Sequence, residues 1–493
     1  MKNRNIFILY IVVTTFITSC SDVLNVEPTS VITVNSFWQD EASVNGALAG
    51  SYVYLRNITR KDLYIYGEAR SEMVGLGIVG EGGWSKYYDN TLSADDAGPS
   101  WKNFYTLINS ANLLIKYVPD IDFTSEANKN NILAQAYSMR AFAYFTMTKI
   151  WGDLVIHTDP IETADAEVTQ KERSSQAEVF SLIKADLDMA LQLFPTNDFP
   201  EGRNIWSKPA ANALKGDVYL WTGKRQGGGK SDFEVALNAF NEVENSGQVR
   251  LLADYAQIHD FNNKGNDEII MSSRYDEFES PENFYQEMHI IGTAIPQNID
   301  QATRDAIGKL GSGSNNIIVI TKLVRDQFVL DDTRRNATFF EINDTLGNYI
   351  TTISQKCMGM ENASTRKFLS DIVLYRYADI LLMRAEVNNA LGNDPTADIN
   401  KVRRRAYRDN YSDHIFINGT QAENDDAILK ERLLELALEG KRWWDLVRFD
   451  KAFELVPSLE GKSDEGLLLF PIGLDILSLE PKVKQNPGWG FSQ

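Results

Sequence analysis

Residues 126–151 constrain this chain more than any other segment. Ile132, Ala136, Met139, Ala143, Met147 and Ile150 recur at spacings of three and four, the period of one face of an α-helix. A second stripe, Tyr137, Tyr144 and Trp151, widens the apolar surface beyond what one neighbour would cover. A helix that is apolar on two sides has to be packed on two sides, as in stacked helix-turn-helix arrays. Ser125 before Glu126 supplies a start signal. The same reasoning predicts helices over 38–56, 99–117, 174–194, 207–222, 231–245, 373–391, 396–407 and 424–455. Between 246 and 370 the pattern weakens. Asn, Gly, Asp and Ser are frequent there, and short β-type runs stand at 268–272 and 317–321. The expected fold is mainly α, a helical-repeat scaffold with long irregular loop excursions and a few short strands. Long loops on a rigid scaffold are where binding normally resides.

The 43% hydrophobic fraction supplies ample core for 493 residues and rules out wholesale disorder. With 49 basic and 68 acidic residues the net charge is −19. Such a surface is repelled by phosphate backbones and by anionic lipid, which argues against nucleic acid as a partner and against adhesion through a polybasic patch. Four histidines, His157, His259, His289 and His414, are too dispersed for a local zinc motif. Two cysteines, Cys20 and Cys357, cannot build a disulfide framework. No metal or cofactor is expected.

At the N-terminus, Lys2 and Arg4 precede an apolar run from Ile6 to Ile17 and then Thr18-Ser19-Cys20. This is the layout of an export signal, and the run is shorter than the about 20 residues that span a bilayer. Cys20 stands where a bacterial lipoprotein signal places its acylated thiol. Residues 1–19 are therefore read as a removed signal peptide, Cys20 as the lipidation site, and 20–36 as a polar tether. Each buried acyl methylene contributes about 0.8 kcal/mol, so a multi-chain lipid anchors durably. Cys357 is then the remaining thiol, read as a small core hydrophobe.

Several motifs resemble chemistry. Gly75-Leu-Gly-Ile-Val-Gly80 matches G-x-G-x-x-G, but neither the segment 68–72 before it nor 81–84 after it reads as the strand and helix start the motif requires, and two acids would face a pyrophosphate. Gly229-Lys230-Ser231 and Gly461-Lys462-Ser463 lack the first glycine of a P-loop. Glu431, Glu435 and Glu439 form an i, i+4 ladder, and like charges so placed repel. Arg403, Arg404 and Arg405 on the preceding helix are the expected counter-charges. A paired-carboxylate acid/base site is the alternative. The neighbouring Arg432, Arg442 and Arg448 favour structural ion pairing for Glu431, Glu435, Glu439 and Arg442, because paired carboxylates have lowered pKa values and make poor acids. Trp443 and Trp444 are read as core.

Seven blocks, in order, resemble the SusD/RagB family of outer-membrane nutrient-binding lipoproteins of Bacteroidota: 20–28 (CSDVLNVEP), 101–112 (WKNFYTLINSAN), 139–153 (beginning MRAFAYF and ending WGD), 374–386 (LYRYADILLMRAE), 399–403 (INKVR), 431–448 (ERLLELALEGKRWWDLVR), and finally 469–472 (LFPI) with 485–488 (QNPG). The resemblance spans essentially the whole chain after the signal. It implies tetratricopeptide-like helix pairs, with an N-terminal region 37–245 and a C-terminal region 246–493 completing one compact fold. It implies a lipid-anchored protein facing the cell exterior, binding oligosaccharides or peptides without catalysis and delivering them to a SusC-like TonB-dependent β-barrel transporter. A surface glycoside hydrolase on an all-α scaffold and a helical-repeat scaffold that binds only proteins remain as alternatives. Sugars offer apolar C–H faces to aromatic rings, and two loops concentrate aromatics outside helical periodicity. One carries Trp84, Tyr87 and Tyr88 with Asp89 and Asn90. The other carries Tyr275, Phe278, Phe284 and Tyr285. The expected ligand contacts are Trp84, Tyr87, Tyr88, Asp89, Asn90, Tyr275 and Tyr285; the alternative is that these rings seal the loops onto the helices.

Overall fold

The computed structural model describes residues 37–311, 315–363 and 365–489. The signal peptide, Cys20 and the tether lie outside the described residues. Helix makes up 53% of the described residues, with a few short strands. The scaffold helices are α1 (Glu41–Thr59), α2 (Lys102–Tyr117), α3 (Glu126–Trp151), α4 (Gln176–Leu193), α5 (Lys208–Arg225), α6 (Gly229–Asn245), α7 (Tyr377–Ala390), α8 (Thr396–Tyr407), α9 (Gln421–Leu436) and α10 (Arg442–Arg448). From α1 to α8 each packs against the next, and α9 returns onto α7. The two stripes of α3 meet α2 on one side and α4 on the other, and every residue of the first stripe is buried. Arg140 of α3 holds Asp186 of α4 through two hydrogen bonds of 2.8 and 2.7 Å.

Between α6 and α7 the chain leaves the stack for about 130 residues, yet α6 still packs on α7. The reason lies at the base of the excursion. Strand β2 (Ile269–Ser273) at its entry pairs antiparallel with β8 (Ile372–Arg376) at its exit. The long loop therefore starts and ends at one place and the helical array continues beneath it. Within the excursion are β3 (Ile318–Ile320), the hairpin β4 (Phe339–Asn343) and β5 (Tyr349–Ser354), and the two-residue strands β6 (Met360–Glu361) and β7 (Arg366–Lys367). β3 pairs antiparallel with β1 (Val74–Leu76), from the loop after α1.

The segment expected as one helix over 424–455 is broken. α9 stops at Leu436, Leu438 and Gly440 take positive φ, and α10 starts at Arg442. Two contacts force the turn. Glu68 accepts hydrogen bonds from the backbone N–H of Leu438, Lys441 and Arg442, and the carbonyl of Gly440 lies so close to Gly67 that a Cβ there would sit 1.9 Å from it. Glu431 and Glu435 thus share α9, whereas Glu439 stands in the turn rather than one helical step further on.

All three acids are buried, each with cations. Arg334 bonds Glu431 at 2.6 Å and Glu435 at 3.2 Å, and Arg376 bonds Glu435 at 2.6 Å and Glu439 at 2.8 Å. Lys356 reaches Glu439 at 2.6 Å, Arg403 reaches Glu431 at 2.7 Å, and Arg405 contacts Glu435. Arg404 instead covers the ring of Tyr411. Arg442 pairs with Glu72 at 2.5 Å. Burial alone would raise Glu435, but Arg405, Arg376 and Arg334 overcome it and hold the carboxyl well below its usual range. Burial is likewise overcome at Glu439 by Arg376, Lys356 and His259. Trp443 and Trp444 are buried in the core, as is Cys357.

Replacing Glu435 by Gln leaves three buried guanidinium groups short of charge, and removing one partner of such a pair costs about 3–5 kcal/mol. Denaturant titration of Glu435→Gln should read that loss; an equally stable variant that has lost only ligand affinity would move Glu435 into a binding site. The pH profile follows from the same groups. Depressed carboxylates stabilise above their unfolded pKa, near 4.5 for Glu, and that contribution is lost as pH falls below it. Burial holds His157 and His289 down to about 4, so the unfolded chain takes up their protons first as pH drops below about 6.5. Buried Glu68, raised to about 8, and Asp62, raised to about 6, act with the opposite sign over that window and offset the imidazoles. The main loss of stability should therefore come below about pH 4.5, as Glu435 and Glu439 are protonated. Denaturation midpoints that stay constant from about pH 4.5 down to about 2 would contradict this.

Candidate functional site

The aromatic loops expected to meet ligand fold inward. Trp84 is 1% exposed, its indole Nε1 donates to Glu287 at 2.6 Å, and its ring lies edge-on to Tyr64 and Tyr87. Tyr87 is buried too. The Tyr285 hydroxyl donates to the carbonyl of Leu438 at 2.6 Å, and that of Tyr275 meets Thr59 and the carbonyl of Arg56, both at 3.2 Å. With the polar handles of Trp84, Tyr275 and Tyr285 satisfied inside, these rings are free to fill the core. Phe284 stacks on Tyr285 beneath them. Asn90 is buried at φ +51° and clamps Arg70, accepting from its Nε at 2.7 Å and donating to its carbonyl at 3.1 Å. As ligand contacts, Trp84, Tyr87, Asn90, Tyr275 and Tyr285 are therefore corrected to residues that seal their loops onto the scaffold. Tyr88 is half-buried and Asp89 exposed; Phe278 is 95% exposed.

What those anchored loops carry outward is a different surface. Asn316, fully buried at φ +50°, joins three loops. Its side-chain oxygen accepts from the Ile78 N–H at 3.2 Å and from the Thr351 hydroxyl at 2.7 Å, and its Nδ2 donates to the Thr352 carbonyl at 2.9 Å. Its own N–H donates to the carbonyl of His289, and its carbonyl accepts from Val79. Gly77 passes so near that a Cβ would lie 2.0 Å from the Asn316 carbonyl oxygen. That approach explains one glycine of the 75–80 motif without any phosphate.

Around this pin several of the exposed side chains are apolar or aromatic. Ile78 is 39% exposed, Val79 47% and Tyr349 45%. The guanidinium of Arg325 lies 4.2 Å from the Tyr349 ring centroid, and Arg325 is itself fixed by Glu341 at 2.9 Å and by the Ile320 carbonyl at 2.6 Å. One face of Tyr349 is thus backed by a rigid cation while the ring remains open to solvent. Sequence reasoning missed Tyr349, whose only signal was its place in an irregular region. Leu76, two residues before Ile78, is exposed as well. Isolated exposed apolar residues are ordinary; several on converging loops mark an interaction surface.

Two internal features bear on catalysis. Cys357 Sγ lies 3.8 Å from His259 Nδ1, and His259 Nε2 lies 3.3 Å from Glu439, so the trio is arranged like a nucleophile, base and acid. Burial pushes the thiol up to about 12 and lowers the imidazole, and no thiolate forms at neutral pH. These residues line a cavity of about 80 Å³, room for a few waters but not for a sugar ring. Lys149 lines it too, its ammonium lying among the rings of Phe145, Trp221 and Trp444, and burial lowers it to about 8.

The architecture has close relatives. The SusD family model matches residues 341–465, and a second, described as starch-binding and associating with the outer membrane, matches 26–220. A SusD-like protein of Formosa agariphila is 28% identical over 98% of this chain and 99% of its own length. The structure of NanU from B. fragilis superposes with a TM-score of 0.82 at 29% identity, covering 94% of this chain and all of that one. A SusD superfamily protein from Bacteroides vulgatus gives 0.79 at 28% identity, over 92% and 100%. Helical array, excursion and sequence blocks agree with these relatives, and the chain is SusD/RagB-like.

Proposed function

We propose that this protein is a lipid-anchored receptor on the outer face of the outer membrane, which captures nutrient oligomers, glycans or peptides, and passes them to a SusC-like TonB-dependent transporter. The observation that carries the proposal is the surface pinned by Asn316, where Ile78, Val79 and Tyr349 stand exposed on converging loops. Apolar and aromatic faces of this kind suit the C–H faces of a sugar chain or the side chains of an extended peptide. The family supports an outer-membrane location, and Cys20, outside the described residues, is the proposed anchor. Among the described residues no helix is long and apolar enough to cross a membrane.

Binding without turnover is the reading the chemistry favours. A glycosidase needs one carboxylic acid held protonated beside its partner. Glu435 and Glu439 are instead held ionised by guanidinium and ammonium groups in the core. The Cys357–His259–Glu439 trio lacks both a thiolate and access.

Tyr349→Ala should weaken binding of the cognate oligomer about tenfold or more, the scale of a lost aromatic contact, and leave the melting temperature nearly unchanged. Calorimetric titration with a panel of glycans and peptides reads this, and the same mixtures should release no new reducing ends. Equal affinity in a folded Tyr349→Ala, Ile78→Ser double variant would remove the surface from the site. Cys20→Ala should shift the protein from the membrane to the soluble fraction, still folded. Persistent membrane attachment of that variant without its barrel partner would refute the anchor.

A further inference from the structure

A second concavity lies in the helical array. It is a groove of about 820 Å³ between α1, α2, the strand-like segment around Val155 and the short helix Leu474–Leu479. That volume falls within the range of small-ligand sites, about 300–1,000 Å³. It shares no lining residue with the surface around Asn316. Its walls are aromatic. Tyr54 of α1 is 37% exposed and its hydroxyl makes no hydrogen bond among the described residues; Tyr105 of α2 is half-buried, its hydroxyl donating to the Val155 carbonyl at 2.9 Å; Trp38 is stacked flat on Tyr117 at 5.1 Å. The rim is polar and unspent. Asn109 uses its Oδ1 to accept from the Ile161 N–H at 2.6 Å, and its Nδ2 has no partner among the described residues. Among the described residues Asp475 and Glu480 make no side-chain hydrogen bond or ion pair, and neither does Lys102.

We infer that this groove binds a short neutral oligosaccharide, as a second site separate from the loop surface. The lining selects that chemistry step by step. An aliphatic chain would strip water from the Asn109 amide and two carboxylates and return nothing. An anionic ligand would meet two carboxylates against one lysine, on a chain of net charge −19. A peptide adding as a β-strand needs an open strand edge, and the principal walls are helices. A sugar chain lays its C–H face on Tyr54 and Tyr105 and offers its hydroxyls to Asn109, Asp475 and Glu480. Half-burial already raises the Glu480 carboxyl, so hydroxyl donors that replace its lost water are favoured there.

The inference shares with the proposed function only the class of ligand, and the experiment keeps the two apart. The full chain is titrated calorimetrically with neutral hexaoses of α- and β-linked glucose, of xylose and of mannose, and each is also tested for protection of Tyr54 from oxidative footprinting. At least one hexaose should protect Tyr54. Tyr54→Ala and Glu480→Gln should each weaken that component about tenfold or more, while Tyr349→Ala leaves it intact. Tyr54 stands on the solvent side of α1, so its replacement should not unfold the helix, which circular dichroism checks. If Tyr349→Ala is silent and Tyr54→Ala is not, the loop surface fails and the groove stands. If no hexaose protects Tyr54, or if both groove variants bind every probe as the parent does, the groove assignment is overturned whatever happens at Tyr349.

Discussion

Arg376 is the residue on which scaffold and excursion hang together. It ends β8, where the long excursion returns, and it directly precedes α7, where the stack resumes. All five of its N–H donors are used: Nε on Glu439 at 2.8 Å, one terminal nitrogen on Glu268 at 2.9 Å and Glu435 at 2.6 Å, the other on Glu439 at 2.9 Å and the Glu435 carbonyl at 2.7 Å. Glu268 lies just before β2, at the excursion's entry, while Glu435 and Glu439 belong to the end of α9 and its turn. A single guanidinium therefore ties entry, exit and the last part of the stack. Buried ion pairs earn stability only when geometry is close and every donor is satisfied, and this one meets both conditions. Arg405, from α8, and Arg334, from within the excursion, bond the same acids. Tyr255 lies under the cluster with its hydroxyl on the Glu435 carbonyl at 2.6 Å.

This dependence explains which parts of the fold were legible in the sequence. The 3- and 4-residue spacings of α3 specify helix and two-sided burial together, because packing against α2 and α4 demands both. α8 was equally plain. The 424–455 pattern misled because its periodicity continues across a break that is imposed from outside, by Glu68 and Gly67, some 370 residues earlier in the chain. No local signal reports a carboxylate arriving from so far away. The glutamates themselves announced a need for cations, and Arg403 and Arg405 were visible as candidates on the neighbouring helix. Arg334, Lys356 and Arg376 were not, since they come from the excursion, where periodicity says nothing about which side chains turn inward.

The same limit governs the loops. Trp84 and Tyr285 lie in glycine- and asparagine-containing segments with no apolar stripe to join, which favoured an exposed reading. Their polar tips are met by long-range partners, Glu287 for the indole and the Leu438 carbonyl for the hydroxyl. Tyrosine and tryptophan suit either fate, an apolar body with a polar tip, and only the tertiary position of the acceptor decides. Tyr349 is the converse. It sits in a hairpin that alternation should have flagged, yet the strand is irregular at that end and the pattern faint.

The pin at Asn316 also determines what can vary without loss of the fold. Of its contacts to the 77–79 loop, to Thr352 and to His289, each is made to a backbone N–H or carbonyl. The path of the loops is therefore set by main-chain bonds and by Gly77, independently of which side chains residues 78, 79 and 349 display. A surface built this way separates two demands that usually compete. The buried ions and the asparagine carry the geometry, and the exposed positions bear little of the stability. Side chains at those exposed positions can be exchanged while Arg376 continues to close the excursion beneath them. That separation is what the proposed receptor role needs if one architecture is to present many ligand surfaces.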